Sequence, residues 1–214
     1  MIRDYNTYWE KCWKEDSATD LYRYLDMYNG IHTEEIEIFK QNNIESVCDA
    51  ACGFGAYSLA FATNGFKVHG FDISETAVAI TKEGLAKYKY DTANFKVASI
   101  LDTGYADEAF GGVIAHAVLD HLTMEDAQKA LKELHRITKT NGMIWISFDV
   151  AEAEDFEEEH ITYDDGTMEY TDGSREGMLF NPFEEDKIDE LLRNYHIVHR
   201  VVKGNREVSV ILKK

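Results

Sequence analysis

Two aspartates, and the short loop that follows the first of them, are the residues of this chain best suited to chemistry. Asp49-Ala50-Ala51-Cys52-Gly53-Phe54-Gly55 follows the short strand-like run Ile44 to Cys48, and Asp72 closes the run Phe66 to Phe71. Small residues at Ala50, Ala51, Gly53 and Gly55 let a ligand approach the backbone closely. A helix that starts behind the loop offers unpaired N–H groups to an anion. Asp49, at a strand's end, offers a negative charge to an ammonium, so one zwitterionic amino-acid group could be held from both ends. Asp72 comes one strand–helix–strand unit later, where a carboxylate can accept bonds from two ribose hydroxyls. Loop and acid together read as a nucleoside site at the switch point of a parallel sheet.

The glycines alone say little. Ser58 stands where the dinucleotide fingerprint G-x-G-x-x-G needs its third glycine. Asp49 would also point at a pyrophosphate, an unfavourable pairing of like charges. S-adenosyl-L-methionine carries an ammonium, a carboxylate and a sulfonium and no phosphate, so charge matching favours it over NAD.

Alternating elements position these residues. Ile44 to Cys48 reads as a strand, Ala56 to Thr63 as a helix stopped by Asn64-Gly65, and Phe66 to Phe71 as a strand. Ser74 is a candidate N-cap for a helix to about Tyr88. Asn94 to Ala98 and Gly112 to Ala115 are further strands. Thr123 with Asp126 opens a helix whose Ala127, Ala130, Leu131, Leu134 and Ile137 share one face. Asn141-Gly142 should end that helix, with Met143 to Phe148 as a fifth strand. Strands alternating with helices imply a parallel, doubly wound sheet with right-handed crossovers.

Both flanks differ from this core. Residues 1–42 read as a helical cap, with aromatic residues at helical spacing. An acidic run, Glu152 to Glu159, reads as solvated surface. A hairpin is expected over His160 to Tyr170, and Asn181-Pro182 is a helix start, N-cap followed by proline. Ile197 to Lys203 and Glu207 to Leu212, split by Gly204-Asn205, form a closing hairpin. The expected fold is α/β: a seven-stranded, mostly parallel, doubly wound sheet with an antiparallel C-terminal hairpin strand and helices on both faces. The expected organisation is one domain over 1–214: cap 1–42, cofactor-binding core 43–150, inserted hairpin 151–180, and C-terminal helix and hairpin 181–214.

Bulk composition narrows the function. The formal net charge of −18 repels phosphate backbones, so no nucleic-acid partner is expected. No apolar run approaches the roughly 18 residues of a membrane span. The polar N-terminus lacks the apolar stretch of a signal peptide, and three cysteines, Cys12, Cys48 and Cys52, make no disulfide framework. A cytoplasmic protein follows as the expectation, monomer or homodimer, with no metal site among its scattered histidines.

Val47 to Gly55 resembles the first motif of class I S-adenosylmethionine-dependent methyltransferases, usually D-x-G-x-G-x-G. Phe71-Asp72-Ile73-Ser74 looks like their second motif, and Ala109 to Ala115 like their strand-four segment. Val118 to Leu122, the helix to Ile137, and Lys139-Thr140-Asn141-Gly142 look like the following helix and its usual K-P-G-G turn. The resemblance spans roughly 44–149, with the C-terminal hairpin extending it. It departs from the pattern at Ala51, which replaces the first glycine at little cost if the backbone angle there is negative. Ser99 stands where many members carry an acid for the adenine, with Asp102 nearby; Gly111 and Asn141 replace two further usual residues.

The resemblance implies roles. Asp49, Ala51, Gly53 and Gly55 would surround the methionine moiety, Asp72 would bind ribose, Ile73 would pack on adenine, Ser99 and Ile100 would meet the adenine edge, and His116 would face the sulfonium. His116 and His121 are the candidate general bases. Tyr5, Tyr8, Trp9 and Tyr24 could form a lid or acceptor pocket. The implied function is methyl transfer to a small-molecule acceptor. An NAD-linked oxidoreductase on a similar sheet and a non-catalytic S-adenosylmethionine-binding protein are the alternatives.

Overall fold

A computed structural model describes residues 4–15, 22, 25, 32–204 and 206–214. The elements run α1 (Asn6–Glu15), α2 (Thr33–Gln41), β1 (Ser46–Ala50), α3 (Ala56–Thr63), β2 (Lys67–Asp72), α4 (Glu75–Lys87), β3 (Phe95–Val97) and β4 (Phe110–Ala115). Then come α5 (Met124–Ile137), β5 (Thr138–Asp149), α6 (Ala153–Glu157), β6 (His160–Thr162), β7 (Met168–Tyr170), β8 (Leu179–Phe180), α7 (Glu185–Leu192), β9 (His196–Lys203) and β10 (Glu207–Lys213). A seven-stranded sheet has the order β3-β2-β1-β4-β5-β10-β9. Its first five strands pair in parallel, and β10 runs antiparallel between β5 and β9. The expected closing hairpin is therefore present, with its second strand inserted beside β5. Asn205 of its turn lies outside the described residues.

The periodicities read from the sequence become packing. Ala127, Ala130, Leu131, Leu134 and Ile137 of α5 are fully buried against one sheet face, beside Ile188, Leu191 and Leu192 of α7. Burying each large side chain of this kind contributes about 1.5–3 kcal/mol. The other face is covered by α2, α3 and α4 through Phe39, Phe61, Leu59, Val78 and Leu85. A Cβ at Gly112 would lie 2.5 Å from the Phe39 ring, so glycine lets α2 sit close on β4. Ser74 caps α4 as expected, its Oγ accepting from the Ala77 N–H at 3.0 Å. Thr123 caps α5 by accepting from the Asp126 N–H.

Three local expectations are corrected. The helix after Pro182 begins only at Glu185, with Glu184 at its N-cap. Asn181 is fully buried and spent elsewhere: its N–H donates to the Asp120 carbonyl, its amide to the Leu122 carbonyl, and its Oδ1 accepts from Lys187 Nζ. The turn expected at Lys139–Gly142 is drawn into β5, which starts at Thr138. Asn141, at φ 64°, kinks the strand, and Lys214 clamps the kink through Asn141 N–H to Lys214 O and Lys214 N–H to Gly142 O. The acidic run is not all free surface either, because Asp155 and Glu158 pair with Arg175. The hairpin at 160–170 is present and gains a third strand, β8.

Candidate functional site

The turn from β1 into α3 reverses sharply through three left-handed residues, Ala51 (φ 58°), Gly53 (φ 52°) and Gly55 (φ 88°). The angle at Ala51 is positive, so alanine in place of glycine there is strained, against the expectation of a small cost. The fold of this loop brings the Gly53 N–H within 2.9 Å of Asp72 Oδ2, while Asp72 Oδ1 accepts from the Ser74 N–H at 2.9 Å. Burial pushes the Asp72 carboxyl up, and these backbone donors oppose that push. Asp72 is 5 % exposed, and what it exposes faces a cavity.

That cavity has a volume of about 340 Å³ and opens above the C-terminal ends of the parallel strands. Of the residues expected to hold the cofactor, Ala51, Gly53, Asp72, Ile73, Ser99, Ile100 and His116 line it. Asp49 and Gly55 do not. Asp49 is 2 % exposed and accepts a 2.6 Å bond from the Ser58 hydroxyl, with burial raising its carboxyl to about 6. Ser58, the residue that breaks the dinucleotide fingerprint, is thus the partner of Asp49.

Helix α1 roofs the cavity with Tyr5, Trp9 and Trp13. It is pinned by Glu10, whose carboxylate accepts from Ser74 Oγ at 2.6 Å, Thr76 Oγ1 at 2.8 Å and the Thr76 N–H at 3.2 Å. The Ser74 bond, then that of Thr76, holds the Glu10 carboxyl down at about 2. Tyr5 donates to Asp126 Oδ2 at 2.7 Å. Trp9 stands edge-on to His121, ring centroids 4.8 Å apart. Tyr8 packs against Trp9 outside the main cavity, lining a smaller pocket. Tyr24 lies outside the described residues.

The wall beyond the loop holds side chains remote from one another in sequence. His116 stacks on Tyr57, and its Nε2 lies 2.6 Å from Tyr57 Oη and 3.2 Å from Glu207 Oε2. Tyr57 Oη is also 3.1 Å from His32 Nε2, and Lys203 Nζ donates to His32 Nδ1 at 2.6 Å while pairing with Glu35. Burial would raise Glu35 and Glu207, but bonds from His32, Lys203 and Ser209 lower the first, and His116 lowers the second. His32, His116 and Glu207 bring potential ligand atoms within 4.8 Å of one another. The Tyr57 hydroxyl and the Lys203 ammonium already engage these rings, so the group reads as a hydrogen-bonded network rather than a cation site. His121 lines the cavity with its Nδ1 donating to the Leu179 carbonyl at 2.9 Å.

Sequence reading missed Trp13, Phe54, Tyr57, Val118, Leu122 and Asp149 among the lining residues. Asp149 carried a usable signal, since it ends a parallel strand as Asp49 and Asp72 do, and ligands of such sheets bind at those ends. Burial raises its carboxyl to about 6, with Asp120 beneath adding to the rise.

The methyltransferase-domain family pattern matches residues 48–146. Among curated relatives, a tRNA (carboxymethyluridine(34)-5-O)-methyltransferase of Arabidopsis thaliana is 33% identical over 110 residues, covering 51% of this chain and 25% of that protein. This chain spans less than half the length of the first curated relatives it matches, 42% and 41%. A solved SAM-dependent methyltransferase of Methanosarcina mazei superposes with a TM-score of 0.68 at 21% identity, over 83% of this chain and 96% of that one. The 1,6-didemethyltoxoflavin-N1-methyltransferase of Burkholderia thailandensis, solved with S-adenosylhomocysteine, gives 0.65 at 16% identity, over 100% of this chain and 92% of that one. Among the described residues no helix is long and apolar enough to cross a membrane.

Proposed function

We propose that this chain, whose residues 48–146 match the methyltransferase-domain family pattern and whose fold is that of a solved SAM-dependent methyltransferase, transfers the methyl group of S-adenosylmethionine to a small acceptor. The carrying observation is Asp72. It ends β2 at a cavity wall, and backbone donors on both oxygens fix its orientation. Each oxygen keeps a lone pair for a ribose hydroxyl. Ile73 and Ile100 flank the adenine, Ser99 meets its edge, and the loop Ala51–Gly53 carries the methionine moiety. His116, just past β4, faces the sulfonium.

The sulfonium is already activated, so the protein's task is to align a nucleophile behind the methyl carbon and exclude water. Trp9 and Trp13 of the roof serve the second task. The nucleophile's lone pair forms the new bond as the carbon–sulfur pair returns to sulfur, leaving S-adenosylhomocysteine. His116, His121 and Asp149 on the wall can each take a proton, which suits an oxygen or nitrogen acceptor that loses one. Among the described residues the cavity lining holds no lysine or arginine, and with a net charge of −18 this disfavours polyanionic acceptors such as nucleic acids.

Calorimetric titration with S-adenosylmethionine, S-adenosylhomocysteine and NAD tests the reading. The two adenosyl compounds should bind and NAD should not. Binding of NAD alone would overturn it, and adenosyl binding with no turnover across a broad acceptor panel would favour a sensor.

A further inference from the structure

Asp149 is the cavity group that the cofactor reading leaves unused. It ends β5, whereas Asp72 ends β2, and the strand order β2-β1-β4-β5 sets them three strands apart. At about 4.8 Å per strand that separation is roughly 14 Å. The two carboxylates therefore serve opposite ends of one cavity.

The surroundings of Asp149 lack a fixed cation. Among the described residues its carboxylate has no hydrogen bond or ion pair, while its backbone N–H donates to Asp120 Oδ2 at 2.9 Å. Asp120 is fully buried, and its Oδ1 has no partner. The charged and titratable groups that Asp149 senses are Asp120 and Glu207, which oppose its ionisation, and His121 and His116, which favour it. The Asp149 side chain is exposed at the cavity wall, so its carboxylate is open to a ligand, and a cationic one offsets the repulsion from Asp120 and Glu207. Trp9 and Tyr5 of the roof line the same cavity, and the Trp9 face can receive a cation as well.

Resting on the methyl-transfer reading, we infer that the acceptor is a basic amine on an apolar or aromatic body, held by Asp149 as its ammonium and methylated on that nitrogen. The Asp149 carboxylate takes one proton from the ammonium, which frees the nitrogen lone pair. That pair attacks the methyl carbon, the carbon–sulfur bond breaks toward sulfur, and the products are the N-methylammonium and S-adenosylhomocysteine. No other reactant is required. Phosphates and carboxylates are rejected at the same place by the like charge of Asp149, with no lysine or arginine lining the cavity among the described residues.

Four probes of one shape separate the cases: benzylamine, benzyl alcohol, benzoate and phenyl phosphate, titrated into the protein saturated with S-adenosylhomocysteine. Trp9 and Trp13 fluorescence reports occupancy. Benzylamine should bind about ten-fold or more tighter than the other three, and Asp149→Asn should abolish that preference while Asp149→Glu restores part of it. S-adenosylhomocysteine affinity should stay within about two-fold in both variants. Equal or tighter binding of benzyl alcohol, benzoate or phenyl phosphate overturns the inference, as does no benzylamine binding. A large loss of S-adenosylhomocysteine affinity in Asp149→Asn also overturns it, because Asp149 would then hold the cofactor. If the wild-type protein binds no adenosyl compound, the methyl-transfer reading itself fails, and the two failures are distinct.

Discussion

The two ends of the cavity are built by opposite means. At the Asp72 end the contributors come from short local segments, the loops Ala51–Gly53 and Asp72–Ile73 and the pair Ser99–Ile100 one strand further on. Backbone N–H groups do most of the polar work there. At the Asp149 end the groups come from positions 32, 57, 116, 121, 149 and 207, and side chains do the polar work. Fixed backbone suits a ligand that never changes, whereas an array of exchangeable side chains suits a part of the site that sets which acceptor enters. The contrast teaches that one cavity can join a wall fixed by backbone to a wall built from side chains that meet only in the fold.

The sharpest way to break this contrast is at Asp72. Replacing it with Ala removes a carboxylate that would hold two ribose hydroxyls, at about 1.5–3 kcal/mol for each charged bond. S-adenosylhomocysteine affinity by calorimetry should fall by about 100-fold or more, while the fold persists. A fall of under about three-fold would mean that ribose is held elsewhere. Glu207→Gln should act on the opposite end. It removes the charge beside His116 Nε2, so turnover should drop about 10–100-fold with cofactor affinity little changed. Equal loss in both quantities would merge the two ends into one unit.

Legibility in the sequence follows the same divide. The succession of strands and helices, the Ser74 and Thr123 caps, the buried stripe of α5 and the closing hairpin all rest on local periodicity or local capping, and each is visible along the chain. The Asp72 end of the cavity is also local, so Ala51, Gly53, Asp72, Ile73, Ser99 and Ile100 were within reach, and His116 was legible as the residue just past a strand end. Tyr57, Glu207 and His32 meet only because β10 is inserted beside β5 and α2 packs over β4, a long-range outcome that no spacing encodes. Asp49 misled for a different reason. Its position at a strand end is right for a ligand, but the residue nine places on, Ser58, turns its carboxylate inward. Asn181 was legible as a cap and is instead consumed by Asp120, Leu122 and Lys187, an instance of tertiary bonding overriding a local preference.

A smaller effect concerns the roof, which joins the two ends. The Glu10 carboxyl is lowered from 4.5 to about 2 by its bonds to Ser74 and Thr76. A depressed carboxyl stabilises the docked helix fully above its ordinary value, and that contribution is lost as pH falls from 4.5 toward 2. Fluorescence of Trp9 and Trp13 should report α1 leaving the cavity over this window, ahead of global unfolding followed by circular dichroism. Glu10→Gln should remove the step. A step of unchanged position in that variant would assign it to another acid.

The smallest effect tests the local end alone. Ala51 holds φ at 58°, where a side chain costs about 1–2 kcal/mol. Ala51→Gly relieves that cost but adds about 0.5–1 kcal/mol of unfolded-chain freedom. The net gain should be up to about 1 kcal/mol, or about 2–4 °C in Tm for a chain of this size. Because the loop already adopts the angle that glycine would choose, cofactor affinity should change little, and acceptor preference not at all. A lower Tm would show that the alanine methyl contributes packing worth more than the strain. A large change in acceptor preference would show that the two ends of the cavity are coupled through this loop, and the division between fixed backbone and exchangeable side chains would no longer hold.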